Sequence, residues 1–507
     1  MAVNQLKSGA VLSYITLALN SVIGLLYTPF LTLKLGQSEY GLYSLAVAVV
    51  GNLTVLDFGF GNAVIRYTSK LRAENREREL QEMLGMFFII FSFVALLCVA
   101  IGAGLFLSID SLFSYKMTAE ELDKMRIIIP LLIFNLAFTF LMSVYRSVIV
   151  AYERFVFQKV LNLVRIVLNP VVMIVFLLYG YKAVTMVVLQ TVFNVLTLTA
   201  DWWYCRHKLH VRFVFEKFDF AFLKEVSLYS FWIFLNAIMD KIYWSMGQAV
   251  LGVYCGTKVV AVYGIAIQLQ QMYMSFSTSI SGLLLPRVTS MVANHADNRQ
   301  VSELFVKTGR LQFTVMCFIL SGFVVFGRQF INLWVGESYS LAYYICLLFF
   351  IPLLCPLIQS VGITILQAKN RMRFRSIVYV LVALLSFVAS LPLSKHYGAL
   401  GCAFATASAL VLGQVIIMNI YYHKRIHLDI KEFWKQIFKM AVVPLAFGAV
   451  SYFVASECSM DSYADFFIAV ALYSALYLPL FWFFSMNAYE RELFSGIVHR
   501  ILKRRKR

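Results

Sequence analysis

The chain has 507 residues, of which 61% are apolar and 14% are charged, and its formal net charge is +18. An ordinary soluble domain has about 25% charged residues, so this composition excludes a water-soluble fold. A net charge of this size can indicate a nucleic-acid partner, but basic cytoplasmic loops and contact with anionic lipid produce it equally well in a membrane protein.

Apolar runs fill the chain from end to end, and each is long enough for the roughly 20 residues that a membrane-spanning helix needs. We predict fourteen spans, at residues 10–33, 40–62, 83–108, 127–150, 160–179, 184–205, 225–254, 259–285, 311–327, 341–367, 376–394, 399–422, 440–456 and 466–487. Two of the boundaries depend on the dipeptides Tyr179-Gly180 and Tyr397-Gly398. The first run lacks a cleavage site after it, so we expect it to be retained as a helix.

The distribution of Lys and Arg predicts the orientation, because basic residues in short loops remain on the cytoplasmic side. The N-terminus, the loops after even-numbered spans and the C-terminal tail hold 33 of the 44 basic residues, whereas loops after odd-numbered spans hold eight. Both termini are therefore expected in the cytoplasm, with the basic tail 503–507 against the inner leaflet.

Landmarks of the first half recur in the second half at nearly one offset, between 217 and 220 residues. The matching positions are Gly36 with Gly256, Ala151 with Ala368, and Gly180 with Gly398. An even number of spans separates them, so the pattern favours two six-helix repeats in the same orientation. We predict an N-terminal bundle at 1–222, a second bundle at 223–425, and two extra helices with the basic tail at 426–507.

Motifs of catalysis are absent from the sequence. It contains no Walker A loop, no HExxH and no nucleophile elbow, and the seven histidines fall in predicted loops or the tail. The eight cysteines are scattered, without a Cys-x-x-Cys pair. We therefore expect no enzyme activity, no catalytic residue, no cofactor and no metal site.

Polar residues recur on one face of at least six predicted spans, at helical steps of three and four. In the fifth span these are Gln158, Asn162, Arg165 and Asn169; the fourth has Asn135, Thr139, Ser143 and Arg146; the sixth has Gln190, Asn194, Thr197 and Asp201. For any one span, hydrogen bonding between helices is an equally good explanation, but six together favour a shared hydrated cavity. The candidate substrate-binding residues are Arg146, Arg165, Asn162, Asn169, Asn20, Gln190, Asn194 and Asn236.

Two arginines at membrane depth give this cavity a positive sign, because a guanidinium stays charged and matches phosphate with paired hydrogen bonds. An anionic cargo is therefore expected. Four further charged residues are candidates for ion coupling or ion pairing: Asp57, Asp240, Lys241 and Arg66. For Asp57 we favour an ion pair with Arg146 or Arg165, with titration in an ion-coupled cycle as the alternative.

The segments LGQSEYGLYSLA, LDFGFGNAVIRYTSK and AYERF resemble the polysaccharide transport family of lipid-linked oligosaccharide and O-antigen flippases. That family belongs to the multidrug, oligosaccharidyl-lipid and polysaccharide exporter superfamily. The resemblance implies an all-α polytopic protein of the bacterial cytoplasmic membrane, with two six-helix bundles. It implies alternating-access transport of an undecaprenyl-pyrophosphate-linked oligosaccharide, with cations of the cavity holding the pyrophosphate. We assign this role to Arg146 and Arg165 because their spacing places them on the inward faces of their helices.

The partners expected on this interpretation are the lipid-linked oligosaccharide, anionic membrane lipid, and H+ or Na+ as a coupling ion. We expect a monomer that contacts polysaccharide assembly proteins, and no nucleic-acid partner. Two rivals from the same superfamily stay open: a multidrug exporter, whose cavity should be acidic, and a lipid II flippase. A glycan polymerase or ligase is the rival from another class, but it should carry a large external loop, and the longest here covers only about 109–126.

Overall fold

The computed structural model describes residues 5–216, 220–293, 297–369, 371–457, 460, 462–493 and 495. Almost all of these residues are helical, and none of them forms a strand. The basic tail at 503–507 lies outside the described residues. The chain divides into two compact units, which we call unit 1 (residues 1–264 with 387–402) and unit 2 (residues 265–386 with 403–507).

Unit 1 contains nine helices of the described chain, the start of a tenth, and a short part of α14. These are α1 Gln5–Gly51, α2 Phe60–Ala73, α3 Glu77–Leu107, α4 Ile109–Phe113, α5 Ala119–Ala151, α6 Phe155–Leu178, α7 Ala183–His207, α8 Phe220–Trp244, α9 Met246–Cys255 and the beginning of α10 Thr257–Ala293. Helix α1 is interrupted at Gly36. Helix α5 packs most extensively on α3 and α7, and these helices supply much of the site described below.

Unit 2 holds the rest of α10 and the remaining described helices. These are α11 Asn298–Val335, α12 Leu341–Ile358, α13 Ser360–Ala368, α14 Met372–Leu410, α15 Met418–Lys424, α16 Ile430–Glu457 and α17 Tyr463–Phe484. A π-helical segment, Val411–Ile417, connects α14 to α15. Helix α11 packs against both α12 and α16.

The all-helical membrane architecture is confirmed. Ten stretches of the described chain are long and apolar enough to cross a membrane. Two of them, Ile15–Ala73 with 59 residues and Met372–Lys424 with 53 residues, are more than twice as long as one crossing of roughly 20 residues. A glycine with positive φ divides each of these two stretches, Gly36 in the first and Gly398 in the second. The exact number of fourteen crossings, like the orientation of the termini, stays a prediction.

Three predicted spans are broken where we expected continuous helix. The second span passes from α1 into a 3-10 helix, Asn52–Asp57, and restarts as α2, because Phe58 (φ 50°) and Gly59 (φ 74°) have left-handed backbones. The seventh span is interrupted at Ser245, between α8 and α9, and the tenth at Gln359, between α12 and α13. Such breaks expose backbone polar groups, which are tolerated at membrane depth only when buried in protein or facing water.

The landmark glycines of the predicted repeat have matching backbones. Gly36 (φ 77°, ψ 167°) and Gly256 (φ 86°, ψ 178°) both occupy a region that is essentially restricted to glycine. A second pair of turns also matches at an offset of 217, since Arg154 N donates to Ile149 O and Arg371 N donates to Leu366 O. These turns agree with a duplicated chain, and the proposed boundaries at 222/223 and 425/426 stay a prediction.

A buried ion pair fixes the C-terminal segment within unit 2. Arg310 of α11 donates from Nε and Nη2 to the two carboxylate oxygens of Glu490, at 2.5 and 2.9 Å. Both side chains are almost fully buried. Arg310 Nη2 also donates to Ser485 O at 3.3 Å, so a single guanidinium connects α11 with the end of α17 and the segment after it.

Candidate functional site

A network of polar side chains connects three helices of unit 1 at membrane depth. Arg165 of α6 donates from Nη1 to Asn194 Oδ1 of α7 at 3.3 Å. Asn194 Nδ2 in turn donates to Asn135 Oδ1 at 2.5 Å and to Thr139 Oγ1 at 2.8 Å, both on α5. Asn135 Nδ2 donates to Thr191 Oγ1 at 3.4 Å. The helical steps that the sequence predicted thus place these polar faces against one another.

Arg146 of α5 lies close enough to Arg165 for the two guanidinium groups to repel each other. Its side chain is exposed and makes no hydrogen bond or ion pair within the part of the chain that the structure describes. Arg165 is half-buried and has the single hydrogen bond to Asn194 among the described residues. Because a guanidinium has five N–H donors, most of the donors of this pair are available to a ligand.

Asp201 of α7 supplies a negative charge that interacts with this pair through Arg146. Its side chain is 2% exposed, and its Oδ1 has no hydrogen-bond partner among the described residues. The carboxylate interacts electrostatically with Arg146 but does not form an ion pair with it within 4 Å. The sequence pattern placed Asp201 on the polar face of the sixth span without identifying it as a site residue, because spacing gives no information about burial.

The other predicted binding residues have different surroundings. Gln190 of α7 accepts a hydrogen bond from Tyr43 OH of α1 at 3.1 Å, one helical turn from Asn194. Asn162 is half-buried, and Asn169 has a buried Oδ1 without a partner in the described chain. Asn20 is exposed. Asn236 lies in α8, and its side chain falls outside the described residues.

The ion pair expected for Asp57 is not formed. Its carboxylate accepts backbone hydrogen bonds from Gly59 and Gly61 at the start of α2, and no ion pair within 4 Å joins it to either arginine, all three being described residues. The left-handed turn at Phe58 and Gly59 brings these backbone N–H groups to the carboxylate, and the sequence spacing did not reveal this turn. Its role as an ion-coupling residue stays a prediction.

The remaining charged candidates lie on α2 and α8. The Arg66 guanidinium lies 5.6 Å from the centre of the Tyr67 ring, in a cation–π contact. Asp240 is exposed and Lys241 half-buried in α8. The structure therefore groups Arg146, Arg165 and Asn194, with Gln190 one turn away, and it does not group Asp57, Asp240 or Lys241 with them.

Two hydroxyl residues of this region were not predicted as site residues. Tyr43 belongs to the segment LGQSEYGLYSLA, and Thr191 lies on the face of α7 next to the predicted polar stripe. Both hydroxyls bond to amides of the network. The arrangement as a whole presents two cations on helices that are apolar enough to cross a membrane, which suits an anionic group with several oxygen acceptors.

Comparison with known families and proteins gives matches over most of the chain. The model of a family described as "Polysaccharide biosynthesis protein" matches residues 6–292. A curated relative from Shigella flexneri, named "Putative O-antigen transporter", is 19% identical over 413 residues, which are 80% of this chain and 94% of the relative.

Solved structures share the fold. The lipid II flippase MurJ in an inward closed conformation has a TM-score of 0.71 at 14% identity, covering 97% of this chain and 99% of MurJ. An inward-facing multidrug resistance MATE family transporter of the MOP superfamily has a TM-score of 0.63 at 13% identity, covering 82% of this chain and 96% of the transporter. At these identities the likeness concerns the fold and not the cargo.

Proposed function

The chain belongs to the family of polysaccharide biosynthesis proteins, and from this premise we propose that it is a flippase for an undecaprenyl-pyrophosphate-linked oligosaccharide. It is a multi-pass protein of the bacterial inner membrane with the fold of known transporters. The proposed cargo carries its negative charge on the pyrophosphate. The flippase moves this headgroup and its glycan to the outer leaflet for surface polysaccharide assembly.

The pair Arg146 and Arg165 is the observation that supports this cargo best. Two guanidinium groups that repel each other lie on helices apolar enough to cross a membrane, and most of their donors have no partner among the described residues. Bringing like charges together in a region of low dielectric constant is unfavourable. A pyrophosphate would relieve this repulsion and accept hydrogen bonds from both groups, whereas a cationic drug would add to it.

The network around Arg165 supplies orientation. Asn194 holds Arg165 and is itself held by Asn135 and Thr139, so the guanidinium is anchored from one side. An anchored donor loses less side-chain entropy when a ligand binds, because its rotamer is already restricted. We assign Gln190 and Asn162, on the same helical faces, to the sugar next to the pyrophosphate.

Transport by alternating access needs a driving force, and the cargo's charge offers one. Moving one elementary charge through 100 mV corresponds to about 2.3 kcal/mol, so a negative interior favours outward movement of an anion. A proton or sodium gradient is the other candidate, with Asp57 or Asp240 as the coupling residue. Changing the potential and the ion gradients separately in vesicles distinguishes these sources.

The test is depletion of the protein in its host, followed by mass spectrometry of undecaprenyl-linked glycans and a measurement of their leaflet exposure. We expect a glycan to accumulate on the inner leaflet, with loss of surface polysaccharide, and wild-type protein to reverse both. Unchanged lipid-linked glycans would overturn the proposal. Loss of drug efflux in the same strain would favour the multidrug exporter.

A further inference from the structure

Four turns of unit 1 meet on the side that the basic-residue count places outside the cell. They lie around Gly36 in α1, between α4 and α5, between α6 and α7, and between α9 and α10. A cavity of about 410 Å³ lies among them, and acidic and basic side chains from all four turns line it. Its charged residues are Glu39, Glu120, Glu121, Lys116, Lys124, Lys182 and Lys258.

Glu121 is the central residue of this cluster. Its Oε1 accepts hydrogen bonds from Ser38 Oγ of α1 and from Thr257 Oγ1 of α10, the latter at 2.7 Å. Its Oε2 accepts the backbone N–H of Thr118 at 2.9 Å, and the Thr118 hydroxyl accepts the backbone N–H of Glu121 at 3.3 Å. This reciprocal cap fixes the carboxylate at the start of α5, where it holds two residues from opposite predicted repeats.

An ion pair attaches the third turn. Lys124, one turn along α5 from Glu121, bonds to the carboxylates of Glu39 and Glu120. The other oxygen of Glu39 accepts the backbone N–H of Ala183, at the start of α7, at 3.4 Å. Polar contacts of Glu121, Glu39 and Lys124 therefore join all four turns.

The helices that follow Ser38 and Thr257 approach each other closely. A Cβ added to Gly41 of α1 would lie 2.0 Å from Thr257 O, and one added to Gly252 of α9 would lie 2.5 Å from the Leu45 side chain. Further along, Gln248 donates to Ser44 Oγ at 3.1 Å. We call this glycine-lined contact of α1 with α9 and α10 the seam.

We propose that the seam and its Glu121 cluster form the outer gate of the transport path, closed in this structure and opened when the cargo is released outside. This proposal rests on the proposed flippase function, because alternating access requires that the contact closing the outer side separates. When these contacts separate, water replaces the protein partners of the hydroxyl and carboxylate groups, so only a fraction of each bond's strength is lost. Glycine surfaces lack interdigitating side chains, so they separate without repacking a core.

A disulfide across the gate tests the proposal directly. Ser38 Oγ and Thr257 Oγ1 lie 3.4 Å apart, so S38C with T257C should form a disulfide on oxidation, in a C255S background that removes the native thiol of the same cavity. We expect oxidation to abolish glycan export and a reductant to restore it. The matched control is S386C with T406C, another Ser–Thr pair at 3.4 Å, which joins α14 residues within one predicted repeat.

Efficient formation of both disulfides with equal export in both oxidised variants would overturn the gate. No export from the reduced variants and from wild-type protein alike would instead overturn the flippase function, so the two failures are distinguishable. A second measurement uses native Cys255, which lines the cavity and is half-buried. Its labelling by a membrane-impermeant maleimide in intact cells reports on opening of the gate.

For this measurement the variant is G41A, whose added methyl group cannot fit against Thr257 O. The control is G51A in the same helix, where a Cβ would meet nothing within 4 Å. We expect labelling of Cys255 to increase several-fold in G41A and to remain at the wild-type rate in G51A. Equal labelling in both variants would contradict the proposal, since the seam would then not limit access.

Discussion

Arg165 and Asn194 are joined across α6 and α7 by a hydrogen bond from guanidinium Nη1 to amide Oδ1 at 3.3 Å. Asn194 thereby orients the Arg165 guanidinium, while the like charge of Arg146 repels it. Such a guanidinium pair favours binding of an anion, because an anion between the two groups is attracted by both and offsets their repulsion.

Replacing Arg165 with Ala should strongly reduce glycan export. A hydrogen bond to a charged group contributes about 1.5–3 kcal/mol, so affinity for the pyrophosphate should fall about ten- to a hundredfold. Arg165→Lys keeps the charge but loses the planar donors, so we expect an intermediate effect. Export is measured as outer-leaflet glycan at matched protein levels. The control is Arg126→Ala, because Arg126 is exposed and paired with Asp110 and Asp123. Wild-type export in both Arg146→Ala and Arg165→Ala would exclude the proposal that these two arginines hold the pyrophosphate.

Asn194 should act through Arg165. If its amide orients the guanidinium, Asn194→Ala and Arg165→Ala should not be additive, and the double variant should export about as well as Arg165→Ala alone. A double-mutant cycle on initial export rates measures this coupling. Additive losses would show that Asn194 contributes separately, for example through its bonds to Asn135 and Thr139. Folding is checked by thermal stability, because interhelical hydrogen bonds in membrane proteins contribute only about 0.6 kcal/mol on average.

Breaking the Arg310–Glu490 pair should destabilise unit 2. Removing one partner leaves a buried charge without compensation, which costs about 3–5 kcal/mol. We expect Arg310→Ala to lower the thermal unfolding midpoint in detergent. The control is Lys435→Ala on α16, which should leave the midpoint nearly unchanged, since Lys435 is exposed and pairs with the exposed Glu432. The double variant Arg310→Met with Glu490→Leu should recover part of the loss. A midpoint for Arg310→Ala equal to that of the control would show that the pair contributes nothing.

Acid outside the cell should open the Glu121 cluster. Burial alone would raise the pKa of Glu121, but hydrogen bonds from Ser38, Thr257 and Thr118 outweigh it and hold the pKa below its ordinary value. Because the pKa of Glu121 is lowered, its carboxylate stabilises the closed cluster above the ordinary pKa of a glutamate. This stabilisation of the cluster is lost as the pH falls through the lowered pKa. The same cavity is also lined by Glu39, Glu120, Lys116, Lys124, Lys182 and Lys258. Because these groups are present in both proteins, the measurement compares Cys255 labelling in wild-type protein with that in Glu121→Gln at each pH. The ratio of variant to wild type should fall towards one in acid, and a constant ratio would contradict the prediction.

Asp57 should be replaceable by Asn but not by Ala if its task is to accept the backbone N–H groups of Gly59 and Gly61. An amide oxygen can still accept these bonds, whereas their loss costs about 0.5–2 kcal/mol, as for other helix-start acceptors. The measurement is export together with thermal stability. Normal stability with lost export in Asp57→Asn would instead identify Asp57 as an ion-coupling residue.

Composition and periodicity were sufficient to determine the membrane class, the helical architecture and the polar faces, whereas the orientation indicated by loop charge stays a prediction. The apolar runs fix helices because backbone groups in lipid must be satisfied within the helix. The steps of three and four placed Arg165 with Asn162 and Asn169, and Asn194 with Gln190, on common faces. The landmark glycines at 36 and 256 marked real turns because few other residues adopt that backbone.

Only the tertiary structure decided which of these faces meet and which charges are paired. The spacing along a helix says where a side chain points, but not which neighbouring helix it contacts, so Asp57 was assigned to the arginines and instead caps α2. For the same reason Asp201 was noted without a role, although its burial beside Arg146 depends on the packing of α5 against α7. The seam between Gly41 and Thr257 joins residues more than 200 positions apart, and such an approach follows from how the helices pack, not from the order in which they occur in the chain.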